Sequence, residues 1–495
     1  MQGTRASRPA LRLIALASAL CAASAAHAVD WSGYLRGGPA ATTVHGESRQ
    51  CYGLAGPGLK YRLGNECDFY GEFQLAQAMK ADGVDFNAVL MTNYYSPATE
   101  SDQSHNPADN YGIEQAYVEM KGVDFAPQTL FWAGKRRDRD DVHIVDTFFT
   151  NMSGVGAGFN NIDTGFGKFG FSGYKSDSVN IHDGTANGSN GGARLHADFY
   201  DMPVNPNGKL RTTLSYAHGD SQGGVKGTSG YGISVEHVQD GFLGLGGGNH
   251  VWVQYSQGSL GLDQRFDAAA LANGTGNLTA PSGAKSYRFV ESPTWQVGAF
   301  GGQAIALYQH DEAPGAHVSS FSLGGRGSYG ITKNLKWLTE IGYSERKPSG
   351  AGYTNGSEHL TKITVGPALS TGPDFWKRPE LRLYVTYADY NKAAAADPAN
   401  TLEAGRTNGT SYGVKQHMPG LRVCISADDG IDRHAKNRCV DEGESRNTPN
   451  SQRPEYGNEV VRPFGNELFQ GLLTGILDST GRGQVVAQLN GRCRA

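Results

Sequence analysis

Along most of this chain, apolar and polar side chains take turns at every second position. Trp31, Gly33 and Leu35 share one parity, and Ser32, Tyr34 and Arg36 the other. Phe69, Phe73 and Leu75 oppose Tyr70, Glu72 and Gln74, and Ala116, Val118 and Met120 oppose Tyr117, Glu119 and Lys121. Leu381, Leu383, Val385 and Tyr387 oppose Arg382, Tyr384 and Thr386, and a shorter run sets Leu59, Tyr61 and Leu63 against Lys60 and Arg62. Residues two apart share a face only in an extended strand, so each run predicts a β-strand with one apolar and one polar side.

Alternation also suits a soluble sandwich, and two features decide against one. The runs recur over about 380 residues with no helical crossover, too long for an ordinary sandwich. The polar faces carry Arg, Glu and Tyr together, which suits a wet interior. A closed transmembrane β-barrel accounts for both, with lipid on the apolar side and no unpaired edge in the bilayer. Composition agrees: 69 of 495 residues are Gly, about twice the usual ~7%. Short strands and turns tolerate that; long helices do not.

Residues 1–28 read as an export leader. Arg5, Arg8 and Arg12 precede the apolar run Leu13 to Ala22, and Ala26-His27-Ala28 offers a cleavage site before Val29. Export implies an oxidising compartment, so Cys51 and Cys67 are predicted to form a disulfide. The formal net charge of −4 argues against a nucleic-acid partner.

The segment Trp132 to Phe149, WAGKRRDRDDVHIVDTFF, crowds charges of both signs between aromatic ends. It is one of six stretches in which the chain resembles the maltoporins, trimeric maltodextrin-specific porins of outer membranes. The others are VDWSGYLRGG (29–38), KYRLGNEC (60–67), SGVGAGFNNIDTGFGKF (153–169), LTEIGYSERK (338–347) and FWKRPELRLYVTYA (375–388). The resemblance implies an all-β fold: an 18-stranded antiparallel barrel narrowed by an inward-folded constriction loop. It also implies a homotrimer in outer-membrane lipid, passing oligosaccharides by passive diffusion with no cofactor and no catalysis.

Carried over by residue, the family's charged track falls on Arg36, Arg62, Glu72, Arg139, Asp141 and Asp146. Its aromatic slide falls on Tyr34, Tyr70, Trp376 and Phe266. The chemistry is apt, because a sugar loses water from its hydroxyls only if donors and acceptors replace it, while its C–H faces favour an aromatic ring. Four departures stand out. Phe148 replaces the usual constriction tyrosine, and the loop is one residue shorter between Lys135 and Asp141. No Trp lies between Pro97 and Asp109, and Ile113 stands where an arginine is expected.

The resemblance covers 29–414. Residues 415–495 lack the alternation and the terminal aromatic of such barrels, which predicts either an appended segment or a shifted reading frame that leaves the last strand incomplete. Gly409-Thr-Ser-Tyr-Gly413 matches a hydrolase elbow, but no helical period follows it. Asp141 and His143 alone are too few for a metal site. A general diffusion pore without sugar preference is the nearest rival.

Overall fold

The computed structural model describes residues 29–42, 50–96, 110–177, 191–221, 226–265, 283–350, 356–419 and 423–424. Eighteen antiparallel strands form a closed barrel, each paired with its neighbours in sequence. The first, Val29–Gly37, pairs on one side with Phe69–Ala81 through Tyr34↔Glu72 and Arg36↔Tyr70. Closure comes on its other side, where it pairs with Asn408–Pro419 through Arg36↔His417. Connections at one end are tight, such as 82–83, 206–207 and 298–299, while all but one at the other, the turn 314–315, are longer. That asymmetry is typical of outer-membrane barrels.

Burial is inverted relative to a soluble protein. Leu381, Leu383, Val385 and Tyr387 are 47–54% exposed, whereas Arg382, Tyr384 and Thr386 are at most 3% exposed. The apolar parity faces outward all round the wall, which water would penalise by roughly 25 cal/mol per Å². Lipid removes that penalty, and closure satisfies the backbone. Trp337 and Tyr329 lie outward beside the turn 331–334, as aromatic girdles do at a membrane interface.

The interior is filled by segments that fold back from the rims. Residues 50–68 lie inside the barrel, with Tyr52, Leu59, Tyr61 and Leu63 buried. Leu59 to Leu63 is therefore not a barrel strand, as its alternation had predicted. It is an extended segment lying on the wall, and its backbone bonds to other groups: Arg62 N to Ile144 O at 3.0 Å, Leu63 N to Glu340 Oε1 at 2.8 Å, and Lys362 Nζ to Tyr61 O. The Tyr61 ring needs Gly342 beneath it, since a Cβ there would come within 2.1 Å of the ring. The predicted disulfide, Cys51–Cys67, closes this segment at its two ends.

The last strand extends past Val414 to Pro419. Lys415 and His417 are buried on the lumen side while Val414 and Gln416 are exposed, so the alternation continues. Val423–Cys424 adds a short pairing with Asp30 and Trp31. The elbow-like Gly409–Gly413 lies within this strand rather than at a strand-to-helix turn. The predicted leader 1–28, Phe266 and residues 425–495 lie outside the described residues.

Candidate functional site

Three elements meet inside the barrel at its narrowing: the first strands, segment 50–68 and the loop 137–153 that follows Leu130–Arg136. Arg36 reaches Asp68 at 2.6 Å, Asp146 at 3.1 Å and Glu66 at 3.3 Å. Arg62 reaches Glu66 at 2.5 Å and Asp146 at 3.0 Å, and donates to the Tyr34 hydroxyl at 2.7 Å. Asp146 thus ties the constriction loop to both arginines. Burial disfavours the Glu66 charge, but Arg62, Lys415 and Arg36 outweigh it and hold its carboxyl well below the usual range. Asp146 is likewise held low by Arg62 and Arg36 against the cost of burial. Both remain ionised at neutral pH, and Arg62 is held protonated against its own burial by Glu66 and Asp146.

A second cluster adjoins the first. The Tyr70 hydroxyl donates to Glu72 at 2.5 Å. Glu72 also meets Arg137 at 2.7 Å and, at the longer distance of 3.9 Å, Arg139. Arg139 lies over the Phe148 ring at 4.1 Å. Both belong to a small hairpin within the loop, Arg139–Val142 against Thr147–Asn151, where Asp141 stands opposite Phe148. Asp141 is exposed to the lumen.

The rings form a connected series. Tyr70 and Tyr34 lie 6.0 Å apart, Tyr34 and His417 5.3 Å, His417 and His143 5.5 Å, and His143 and Trp376 5.4 Å. Trp376 rides on the turn 371–379, which folds inward so that Phe375 is buried while Trp376 stays 40% exposed. Burial, together with Arg62, Arg326, Arg378 and Arg382, keeps His143 neutral by pushing its pKa well down. His143 therefore joins the series without adding charge, while His417, 1% exposed, links the rings from within the wall.

The loop is held to the opposite wall by a different group. Arg211 reaches Asp140 at 2.8 Å and Asp198 at 2.9 Å, with Asp138 at 3.8 Å. Glu236 faces the same spot and accepts from His250 at 2.9 Å. One guanidinium is shared among several carboxylates, so burial, followed by Glu236, raises the Asp140 pKa to about 6 despite its contact with Arg211. A raised folded-state pKa penalises the fold above that value and relieves it as pH falls through about 6. The reconstituted barrel is expected to unfold at a higher temperature at pH 5 than at pH 7.5. Asp140→Asn is expected to abolish the difference, read by thermal melts at the two pH values.

Nine of the eleven predicted lining residues fall into this connected region: Tyr34, Arg36, Arg62, Tyr70, Glu72, Arg139, Asp146, Phe148 and Trp376. Asp141 borders it, and Phe266 lies outside the described residues. Glu66, Asp68, Arg137, Glu114, His143 and His417 are in the same contacts and were not predicted. Glu66 and Asp68 flank Cys67, so the disulfide that sets the segment's end was the available signal. Ile113 is 53% exposed on the outer face, so no arginine from that position enters the lumen.

Against solved structures, the chain is similar to the outer-membrane protein OmpT of Vibrio cholerae in its trimer form, at 10% identity. That match covers 79% of this chain and 100% of that one, with a TM-score of 0.36. OccAB1 of Acinetobacter baumannii matches at 9% identity over 80% and 96% of the two chains, TM-score 0.45. OccD3 (OpdP) of Pseudomonas aeruginosa matches at 9% over 81% and 92%, TM-score 0.43. The LamB porin family model matches residues 29–418, most of the chain and all but the last residue of the final barrel strand. The chain belongs to the LamB porin family.

Proposed function

We propose that this porin is selective for sugars: maltose, maltodextrins or related oligosaccharides diffuse passively through it, with three copies assembled in the outer membrane. The observation that carries this reading is the pairing of a ring series, from Tyr70 to Trp376, with ion-paired charges along its flank. A sugar sliding over the rings keeps its hydroxyls hydrogen-bonded to Asp146, Glu72 and Arg139, with Arg62 behind them holding Asp146 in place. Each contact is weak, so the sugar enters readily and leaves again, as any pore requires.

The experiment is current block in planar bilayers. Maltooligosaccharides are expected to reduce the ion current in a saturable, concentration-dependent way. A current that sugars leave unchanged, or that never saturates, would leave only a general diffusion pore. Heat-resistant trimers on a gel test the assembly independently.

A further inference from the structure

Arg137 is the most cross-linked side chain of the lining that sequence did not single out. Its guanidinium meets Glu72 and Glu114, each at 2.7 Å, and lies 3.4 Å from the Tyr70 hydroxyl. Its backbone N–H donates to Gln115 at 3.0 Å. Glu114 in turn accepts from Asn93 at 2.6 Å and keeps 28% of its side-chain surface open. Three strands, Phe69–Ala81, Val84–Ser96 and Asn110–Lys121, therefore converge on one loop arginine.

Glu114 reaches this position through a break in the alternation. Parity with Ala116 and Val118 would send it to the lipid face. The pairing with Val84–Ser96 instead slips at this point, with Met91 opposite Gln115 and Thr92 opposite Ile113. The bulge leaves Glu114 unmatched and turned to Arg137, beside the inward Gln115. Bulges re-aim side chains, and this one turns Glu114 from the lipid parity into the lumen.

We propose that Asn93, Glu114 and Arg137 form an additional hydroxyl-binding step beside Glu72, on the side remote from the first strand, for a neighbouring diol of a neutral sugar. Glu114 accepts from the hydroxyls. Arg137 is a positioning residue that holds Glu114, Glu72 and the Tyr70 hydroxyl in one plane of approach. The location follows from the register: Glu72 pairs with Asn93 and Asn93 with Gly112, so Glu114, two residues on and two strands over, lies on the far side of Glu72 from Tyr34.

This step rests on the sugar-pore reading and is separable from it by chain length. The test is current block by maltose and by a four-unit maltooligosaccharide in bilayers holding the full chain, Glu114→Gln or Arg137→Lys. A four-unit sugar reaches from the Arg36–Asp146 cluster past Glu72 to Glu114; a disaccharide seated on Tyr34 and Tyr70 does not. Losing a charge-assisted hydrogen bond is expected to raise the four-unit dissociation constant about fivefold to tenfold in Glu114→Gln, with less than about a twofold change for maltose. Far-UV circular dichroism and the thermal melt of each variant stay those of the wild type, which shows an intact barrel. Arg137→Lys is expected to weaken both sugars, because Glu72 and Tyr70 lose their support. Unchanged four-unit block in Glu114→Gln, or equal loss for both lengths, overturns the proposal. Absence of saturable block in the wild type overturns the underlying reading instead.

Discussion

Arg62→Leu is expected to destabilise the protein by about 3 kcal/mol and to weaken sugar block on the order of a hundredfold. The reason is what the substitution leaves behind. Glu66 is 1% exposed, and Arg62 is its nearest counter-charge at 2.5 Å. Removing one partner of a buried pair strands the other and costs about 3–5 kcal/mol. Arg36 and Lys415 stay within reach of Glu66, which places the expectation at the lower end. Asp146 loses one of its two arginines at the same moment, so the constriction loop is freed on its pore side. Arg36→Leu should cost less, since Arg36 is more exposed and water can replace part of what it supplies. Chemical denaturation and current block, measured side by side, check both. A milder effect from Arg62→Leu than from Arg36→Leu would contradict the assignment of Arg62 as the keystone.

Phe148→Ala should weaken sugar binding by about thirtyfold and raise single-channel conductance. Burying one face of a phenyl ring contributes about 2 kcal/mol, and a tenfold change in affinity corresponds to about 1.4 kcal/mol. The ring also seats Arg139, whose guanidinium lies 4.1 Å above it. Without that seat Arg139 can move closer to Glu72, now 3.9 Å away. The neck then loses its apolar floor and part of its charge order together. Phe148→Tyr is the informative companion: it adds a hydroxyl beside Arg139 and is expected to lower conductance while keeping block intact. If Phe148→Ala left affinity unchanged, the ring would be packing for the hairpin rather than a surface for sugar.

Period-two alternation made the wall legible because a barrel strand exposes each parity to a different solvent. Where that condition fails, so did the reading. Leu59 to Leu63 alternates because one side lies against the wall and the other, through Arg62, against Tyr34, Glu66 and Asp146, yet among the described residues no strand pairs with it. Lys415 and His417 look like a break in pattern because Gln416 is polar on the outer parity, although their own inward placement keeps the rhythm. Glu114 sits on the lipid parity, and only a charge in that place hints at the bulge. The meeting of His143 with Trp376 joins parts of the chain more than two hundred residues apart, beyond the reach of any local pattern. Tyr34, Arg36, Tyr70 and Glu72 were legible twice over, from parity and from the resemblance.

One contact also orders events in time. Lys415, on the final strand, donates to the Glu66 carbonyl and lies 3.8 Å from its carboxylate. Arg36 and Arg62 arrive with Glu66 itself, but Lys415 is synthesised some 350 residues later. The neck is therefore unfinished until the two ends of the sheet have met. Glu66 gains its third counter-charge, and the lining its last member, only when the first and final strands pair.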